Sequence, residues 1–243
     1  MAVAPDVPQQ DGPARGERGK LIVLRDRPQS PAAEAYRSVR TSLQLMPREK
    51  QAAVVVTSPA AGEGKTYCAV NVASALAVAG KRVLLVGADM RRPTLQTVFG
   101  LPQGQGLSEF LAEQTGEAPV SDTNITSLHV LPSGNIPPNP SELLGAARFA
   151  EGLASWRAAY DHIVFDATPV LGVTDALVLA RQVGRALVVV RAGRTTDREL
   201  RRAVDQLRAA GVEVLGVILN GHRAASEAYE SYPYAYPSFT SER

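Results

Sequence analysis

Residues 53–79 open with a five-residue apolar stretch, Ala53-Val-Val-Val-Thr57. They continue through Ser-Pro-Ala-Ala-Gly-Glu-Gly to Lys65-Thr66 and end in a run of small residues with helical spacing. A strand, a glycine loop and a helix joined so closely leave few possible folds. Gly62 and Gly64 let the loop backbone turn its N–H groups inward, and the new helix adds its own free N–H groups and positive dipole end. Lys65 places a full positive charge at the same spot, and the Thr66 hydroxyl can hold Mg²⁺. The loop is therefore expected to hold nucleotide phosphates, with Ala61, Gly62, Glu63, Gly64, Lys65, Thr66 and Tyr67 as the binding stretch. The strict pattern has Gly five residues before Gly64; here that position is Pro59. The competing reading is an ordinary glycine turn with a surface lysine. It is disfavoured because the chain has only four lysines, Lys20, Lys50, Lys65 and Lys81.

Further apolar runs follow at Arg82–Val86, Leu128–Leu131, His162–Phe165, Ala186–Val190 and Val214–Leu219. They alternate with helical patterns at Thr66–Ala79, Ser108–Ala112, Ser141–Tyr160, Thr174–Val183 and Asp197–Ala210, and another spans residues 31–45. Strands that are apolar on successive residues are buried on both faces, as in a parallel sheet covered by helices. The expected fold is α/β, a three-layer doubly wound and mostly parallel sheet. Its ligand should sit at the carboxyl ends of the strands.

Two of those ends carry acids. His162-Ile-Val-Phe runs into Asp166, the Walker-B arrangement, and Val83-Leu-Leu-Val runs into Gly87-Ala-Asp89-Met-Arg91-Arg92-Pro93. Asp166 and Asp89, with Thr66, are the expected metal ligands, and Lys65, Asp89 and Asp166 the expected catalytic set. Arg91 and Arg92 are expected to meet phosphate or a neighbouring subunit, or else to form a solvated basic turn.

Lys plus Arg number 26 against 24 Asp plus Glu, a balance that argues against a nucleic-acid coat protein. The single cysteine, Cys68, excludes an intrachain disulfide and reads as a small buried apolar residue. No run is long and apolar enough for a membrane helix or a signal peptide, so the expectation is a cytoplasmic chain without direct membrane insertion. Residues 1–27 are expected to be a disordered lead and 28–222 the folded domain, with its first helix in 28–47. Residues 223–243 read as a tail. Tyr229, Tyr232, Tyr234 and Tyr236, four of the seven tyrosines, lie there, spaced by Pro233 and Pro237. Prolines at these positions keep such a tail extended. The Arg194–Arg202 run reads as a solvated helix face.

Taken together, these segments resemble the bacterial tyrosine kinases (BY-kinases) of capsule and exopolysaccharide synthesis, over roughly residues 28–240. Pro31 to Thr41 is similar to the family's Glu-x-x-Arg-x-x-Arg helix, here Glu34, Arg37 and Arg40, which implies a ring-shaped homo-oligomer. Thr57–Thr66 resembles its Walker A, and Asp89-Met-Arg-Arg-Pro93 the end of its Walker A′. Pro138-Asn-Pro-Ser-Glu-Leu-Leu144 and Asp175-Ala-Leu are similar to its linking segments, and the tyrosine tail to its autophosphorylated cluster. The resemblance implies a P-loop NTPase fold of the Par/Min-like branch and ATP with Mg²⁺ as cofactors. It also implies Asn220 near adenine, protein tyrosine as substrate, and a transmembrane polysaccharide co-polymerase as activator, holding the chain peripherally at the inner membrane face.

Two departures stand out. Walker A′ carries Asp-x-Asp in the family, whereas this chain has Gly87-Ala88-Asp89, and Tyr67 replaces a small residue where it would crowd the nucleotide. Gly87 motivates an alternative expectation, a nucleotide-binding regulatory scaffold with weak or no kinase activity. A Par/Min-type partition ATPase is a third. It is disfavoured because Ser58-Pro59-Ala60 lacks the lysine of the Lys-Gly-Gly pattern and because that class has no tyrosine tail.

Overall fold

The structure is a computed structural model that describes residues 2–5, 22–46, 53–113 and 116–222 of the 243. Its strands are β1 (Ala2–Pro5), β2 (Ala53–Thr57), β3 (Val83–Gly87), β4 (Ser121–Asp122), β5 (Leu128–Leu131), β6 (His162–Asp166), β7 (Arg185–Arg191) and β8 (Glu213–His222). The helices are α1 (Val23–Asp26), α2 (Pro31–Gln44), α3 (Lys65–Val78), α4 (Leu95–Phe99), α5 (Leu107–Leu111), α6 (Pro140–Gly145), α7 (Ala147–Ala159), α8 (Asp175–Val183) and α9 (Asp197–Ala209). The strands form one sheet in the order β1-β8-β7-β2-β6-β3-β5-β4, parallel throughout except for the short β4–β5 pair.

Successive residues of each inner strand enter opposite core layers. Val54 and Val56 of β2, Leu85 of β3, Val164 of β6 and Val189 of β7 pack with α2 and α3. Val55, Val86, Phe165 and Val188 pack with α7, α8 and α9 on the other face. Burying a side chain of this size contributes on the order of 1.5–3 kcal/mol, so two apolar faces outweigh any local propensity. This is the three-layer, mostly parallel α/β arrangement expected from the unbroken apolar runs.

The same weighting applies to α2. Ser30 caps it, its Oγ accepting from Ala33 N at 3.2 Å, and Pro31 occupies the first turn. Such a cap is worth about 1 kcal/mol. The buried stripe Ala32, Ala33, Ala35, Tyr36, Val39 and Leu43 contributes more. Helix α3 is buried on nearly all sides from Cys68 to Ala77, which its Ala- and Val-rich sequence permits.

Some expectations change. The stretch expected to be a disordered lead contains β1, paired in parallel with β8 from Ala2↔Ile218 to Pro5↔His222. Pro5 ends this edge strand, where a missing N–H is tolerated. The lead also contains α1, whose Ile22 and Val23 flank are fully buried and whose Val23 N donates to Asn71 Oδ1 at 2.7 Å. The expected helix over 141–160 is two helices, because Ala146 is extended (φ −71°, ψ 156°) directly after Gly145. Strand β8 runs on past Leu219 and takes Asn220 into the sheet. The tail and its four tyrosines lie outside the described residues. Among the described residues no helix is long and apolar enough to cross a membrane.

Candidate active site

Strands β2, β6 and β3 are neighbours, and the registers Val56↔Asp166 and Gly87↔Asp166 bring their tips level. The loop after β2, the acid ending β6 and the turn after β3 therefore meet. Lys65 Nζ donates to Asp89 Oδ2 at 2.7 Å and lies 3.9 Å from Asp166 Oδ1. The three residues expected to be catalytic are one cluster. Ala88 N donates to Asp166 O at 2.8 Å, which ties the second turn to β6.

Both carboxylates are buried, Asp89 at 4% and Asp166 at 1% exposure. Burial pushes the Asp166 carboxyl up to about 6, against the lowering effects of Lys65 and the Thr66 hydroxyl; Asp89 adds to the rise. Burial works against the Lys65 charge, but Asp166 and Asp89 outweigh it and hold the ammonium above its usual range. Lys65 is thus a firm cation between two acids.

The phosphate loop takes its shape from contacts on its outer side. Gly62 (φ 81°) and Gly64 (φ 92°) adopt left-handed backbone. Asn220 Nδ2 donates to Glu63 O at 2.8 Å, and Arg191 and Arg194 approach Gly62 O at 3.5 and 3.4 Å. A trans peptide points its C=O and N–H in opposite directions. Carbonyls drawn outward at Gly62 and Glu63 therefore turn the N–H groups of Glu63 and Gly64 inward. A Cβ on Gly64 would stand 2.1 Å from Asn220 Nδ2, so this cradle exists only with glycine. The Glu63 side chain braces the same loop, accepting from Ala60 N at 2.8 Å and from the Thr195 hydroxyl.

A nucleotide with Mg²⁺ fits these residues. Asp166 Oδ1 is buried without a hydrogen-bond partner, and Thr66 bonds the same carboxylate. Among the described residues no group of three or more His, Cys, Asp or Glu could hold a metal alone. Mg²⁺ is commonly held by one or two carboxylates together with phosphate oxygens, which suits this arrangement. Thr66 and Asp166 would hold or orient it, with Asp89 alongside.

Other expected residues stand apart from this cluster. The Tyr67 ring packs edge-on against Tyr36 with centroids 6.1 Å apart, joining α3 to α2. Asn220 is placed as a brace of the loop. Glu34 and Arg37 pair with each other at 2.5 Å on α2, and Arg37 Nη2 also donates to Pro28 O; Arg40 lies on the same helix. Cys68 is buried, and burial pushes its thiol up to about 12. Arg91 pairs with Asp175 within the chain at 2.7 and 3.0 Å while its side chain stays 45% exposed, a partner that sequence reasoning did not name. Arg194 and Thr195, expected on a solvated face, touch the phosphate loop instead. Sequence reasoning missed this brace and that of Arg191. Arg191 ends β7 and Arg194 and Thr195 follow it, and the rule that ligand loops gather at carboxyl strand ends was the signal available.

A family described as an AAA domain matches residues 52–193. The putative tyrosine-protein kinase EpsB of Ralstonia nicotianae is 38% identical over 234 residues, covering 93% of this chain and 31% of that protein. The chain thus spans about a third of the length of that relative. The tyrosine-protein kinase YwqD of Bacillus subtilis is 35% identical over 221 residues, 90% of this chain and 93% of that protein. The kinase domain of the Escherichia coli tyrosine kinase ETK superposes with a TM-score of 0.82 at 31% identity, over 97% of this chain and 93% of that one. The Pyrococcus furiosus cell division ATPase MinD shares the fold, with a TM-score of 0.61 at 23% identity over 74% of this chain and 78% of that one.

Proposed function

The chain belongs to the bacterial tyrosine kinases, built on a P-loop AAA domain, and on that premise we propose that it is an ATP-dependent protein-tyrosine autokinase. It phosphorylates the cluster Tyr229, Tyr232, Tyr234 and Tyr236 in trans. Its subunits assemble as a ring through Glu34, Arg37 and Arg40. A separate membrane-spanning activator docks it at the inner membrane face, and the phosphorylation state of the tail regulates polysaccharide polymerisation and export. The observation that carries this reading is the Lys65 ammonium between Asp89 and Asp166 at the mouth of a glycine cradle.

The inward N–H groups of Glu63 and Gly64 bind the phosphates of ATP, and Lys65 turns from Asp89 toward the transferring group. That movement releases Asp89 Oδ2 to accept the proton of the incoming tyrosine hydroxyl. The tyrosine oxygen forms the new bond to phosphorus as the bridging bond to ADP breaks. Thr66 and Asp166 would hold Mg²⁺, which would supply positive charge to the phosphate oxygens. Positioning and electrostatics are the main levers in such a transfer.

Purified protein incubated with ATP and Mg²⁺, with and without the activator's cytosolic tail, should gain mass in steps of one phosphate on tyrosine. Replacing all four tail tyrosines by Phe should remove most of that gain and leave ATP binding intact. Binding of ATP with no phosphotyrosine under any of these conditions would refute the kinase reading.

A further inference from the structure

Among the described residues, one side-chain ion pair holds the turn that carries Asp89 from outside the site, alongside the long Ser133 Oγ hydrogen bond to Asp89 O at 3.5 Å. Arg91, two residues past Asp89, donates Nε and Nη2 to Asp175 at 2.7 and 3.0 Å. The Arg91 side chain is 45% exposed, but that of Asp175 is 1% exposed. Asp175 opens α8, and its carboxylate also accepts from the Ser141 hydroxyl in the first turn of α6. The pair therefore bolts the turn after β3 to two helices of the opposite layer.

The rest of the turn shows why this bolt matters. Asp89 Oδ1 accepts from Arg92 N at 3.0 Å, and Asp89 Oδ2 holds Lys65. In the transfer described above, Lys65 leaves Asp89 for the phosphates. Among the described residues, the bond left to aim the Asp89 side chain is then that from Arg92 N in its own turn. Gly87 has no side chain to share the task. From this we infer that Asp175 is a positioning residue for phosphoryl transfer, acting through Arg91 to aim Asp89 at the incoming hydroxyl. Arg91 gives two of its donors, Nε and Nη2, to Asp175. Burial alone would raise the Asp175 carboxyl, yet Arg91 and Ser141 hold it below the usual range, so the pair stays charged at neutral pH.

This inference rests on the kinase reading, and the experiment separates the two. Arg91→Ala, Asp175→Asn and the double variant are assayed as full chains for phosphotyrosine formation, for KM and for calorimetric ATP·Mg²⁺ affinity. Each single variant should lose about 10- to 100-fold in kcat while KM and affinity for ATP change less than about 3-fold. The double variant should be no slower than the worse single one, because both break one bolt. Arg91 is half exposed, so its variant should fold even if Asp175→Asn does not. Unchanged kcat in the Arg91 variant, additive losses in the double variant, or equal falls in kcat and ATP affinity would overturn the positioning role. A wild-type protein that binds ATP but forms no phosphotyrosine overturns the kinase reading, and this inference with it.

Discussion

A Cβ built on Gly87 stands 2.6 Å from Ser133 Oγ and 3.0 Å from Ser133 N. The position where the family resemblance leads one to expect a second acid is closed here by Ser133, two residues past the end of β5. Ser133 Oγ can rotate, but the backbone nitrogen must shift. Gly87→Asp is therefore expected to destabilise the fold by about 1–3 kcal/mol, the usual range for overpacking. Ser133→Ala in the same chain should recover part of the loss. Urea melts of the three proteins check both statements. An Asp accepted at no cost would show that this wall yields freely.

Lys65→Met should act in two ways. It should abolish measurable ATP·Mg²⁺ binding in calorimetry, because the cradle loses its full charge. It should also lower stability with no nucleotide added. Removing the cation leaves Asp89 and Asp166 buried and facing each other. Breaking a buried pair costs about 3–5 kcal/mol, and the 13% exposure of the Lys65 side chain points to the lower end. Thermal melts at neutral pH read the second effect.

Gly64→Ala tests the cradle itself. Left-handed backbone costs a non-glycine residue roughly 1–2 kcal/mol, and the added methyl meets Asn220 at 2.1 Å. Displaced, Asn220 no longer draws the Glu63 carbonyl outward. ATP affinity should fall at least about 10-fold, equivalent to about 1.4 kcal/mol, and isothermal titration measures it directly.

Glu109 gives a pH signature away from the chemistry. Its carboxylate accepts from Gly106 N and Ser108 Oγ at 2.8 and 2.9 Å and from Asn135 Nδ2 at 2.8 Å. Burial raises its pKa, but these donors from Ser108, Gly106 and Asn135 outweigh it and lower the pKa overall. A carboxyl lowered on folding stabilises above its unfolded value, about 4.3, and that stability disappears as pH falls through the folded value. Glu109→Gln should therefore cost about 1–3 kcal/mol at pH 7, and the gap to wild type should shrink in acid. Urea midpoints at two pH values decide it.

Much of the architecture was legible in residue order. Runs such as Val54-Val-Val56 and Leu84-Leu-Val86 are apolar at every position, and only a sheet covered on both faces buries both sets. The alternation of runs and helical patterns then gave the parallel winding. Lys65, Asp89 and Asp166 could be gathered from their places just past strand tips, since neighbouring parallel strands bring such tips together. Ala2–Pro5 could not be placed, because four residues carry no period and the partner, β8, begins more than two hundred positions away. The break at Ala146 escaped because Ala favours a helix, so nothing in the local sequence marks its extended backbone.

Local chemistry along the chain determined which loop can cradle phosphate, which residues bring charge to it, and that the sheet is covered on both sides. These depend on neighbours in sequence and on a repeating pattern. Folding alone decided that Asn220 and Arg194 shape the phosphate loop from outside, that Arg91 is engaged by Asp175, and that Ser133 fills the space beside Gly87. Each of those contacts joins residues dozens to more than a hundred positions apart, and such distances close only when separate strands lie side by side.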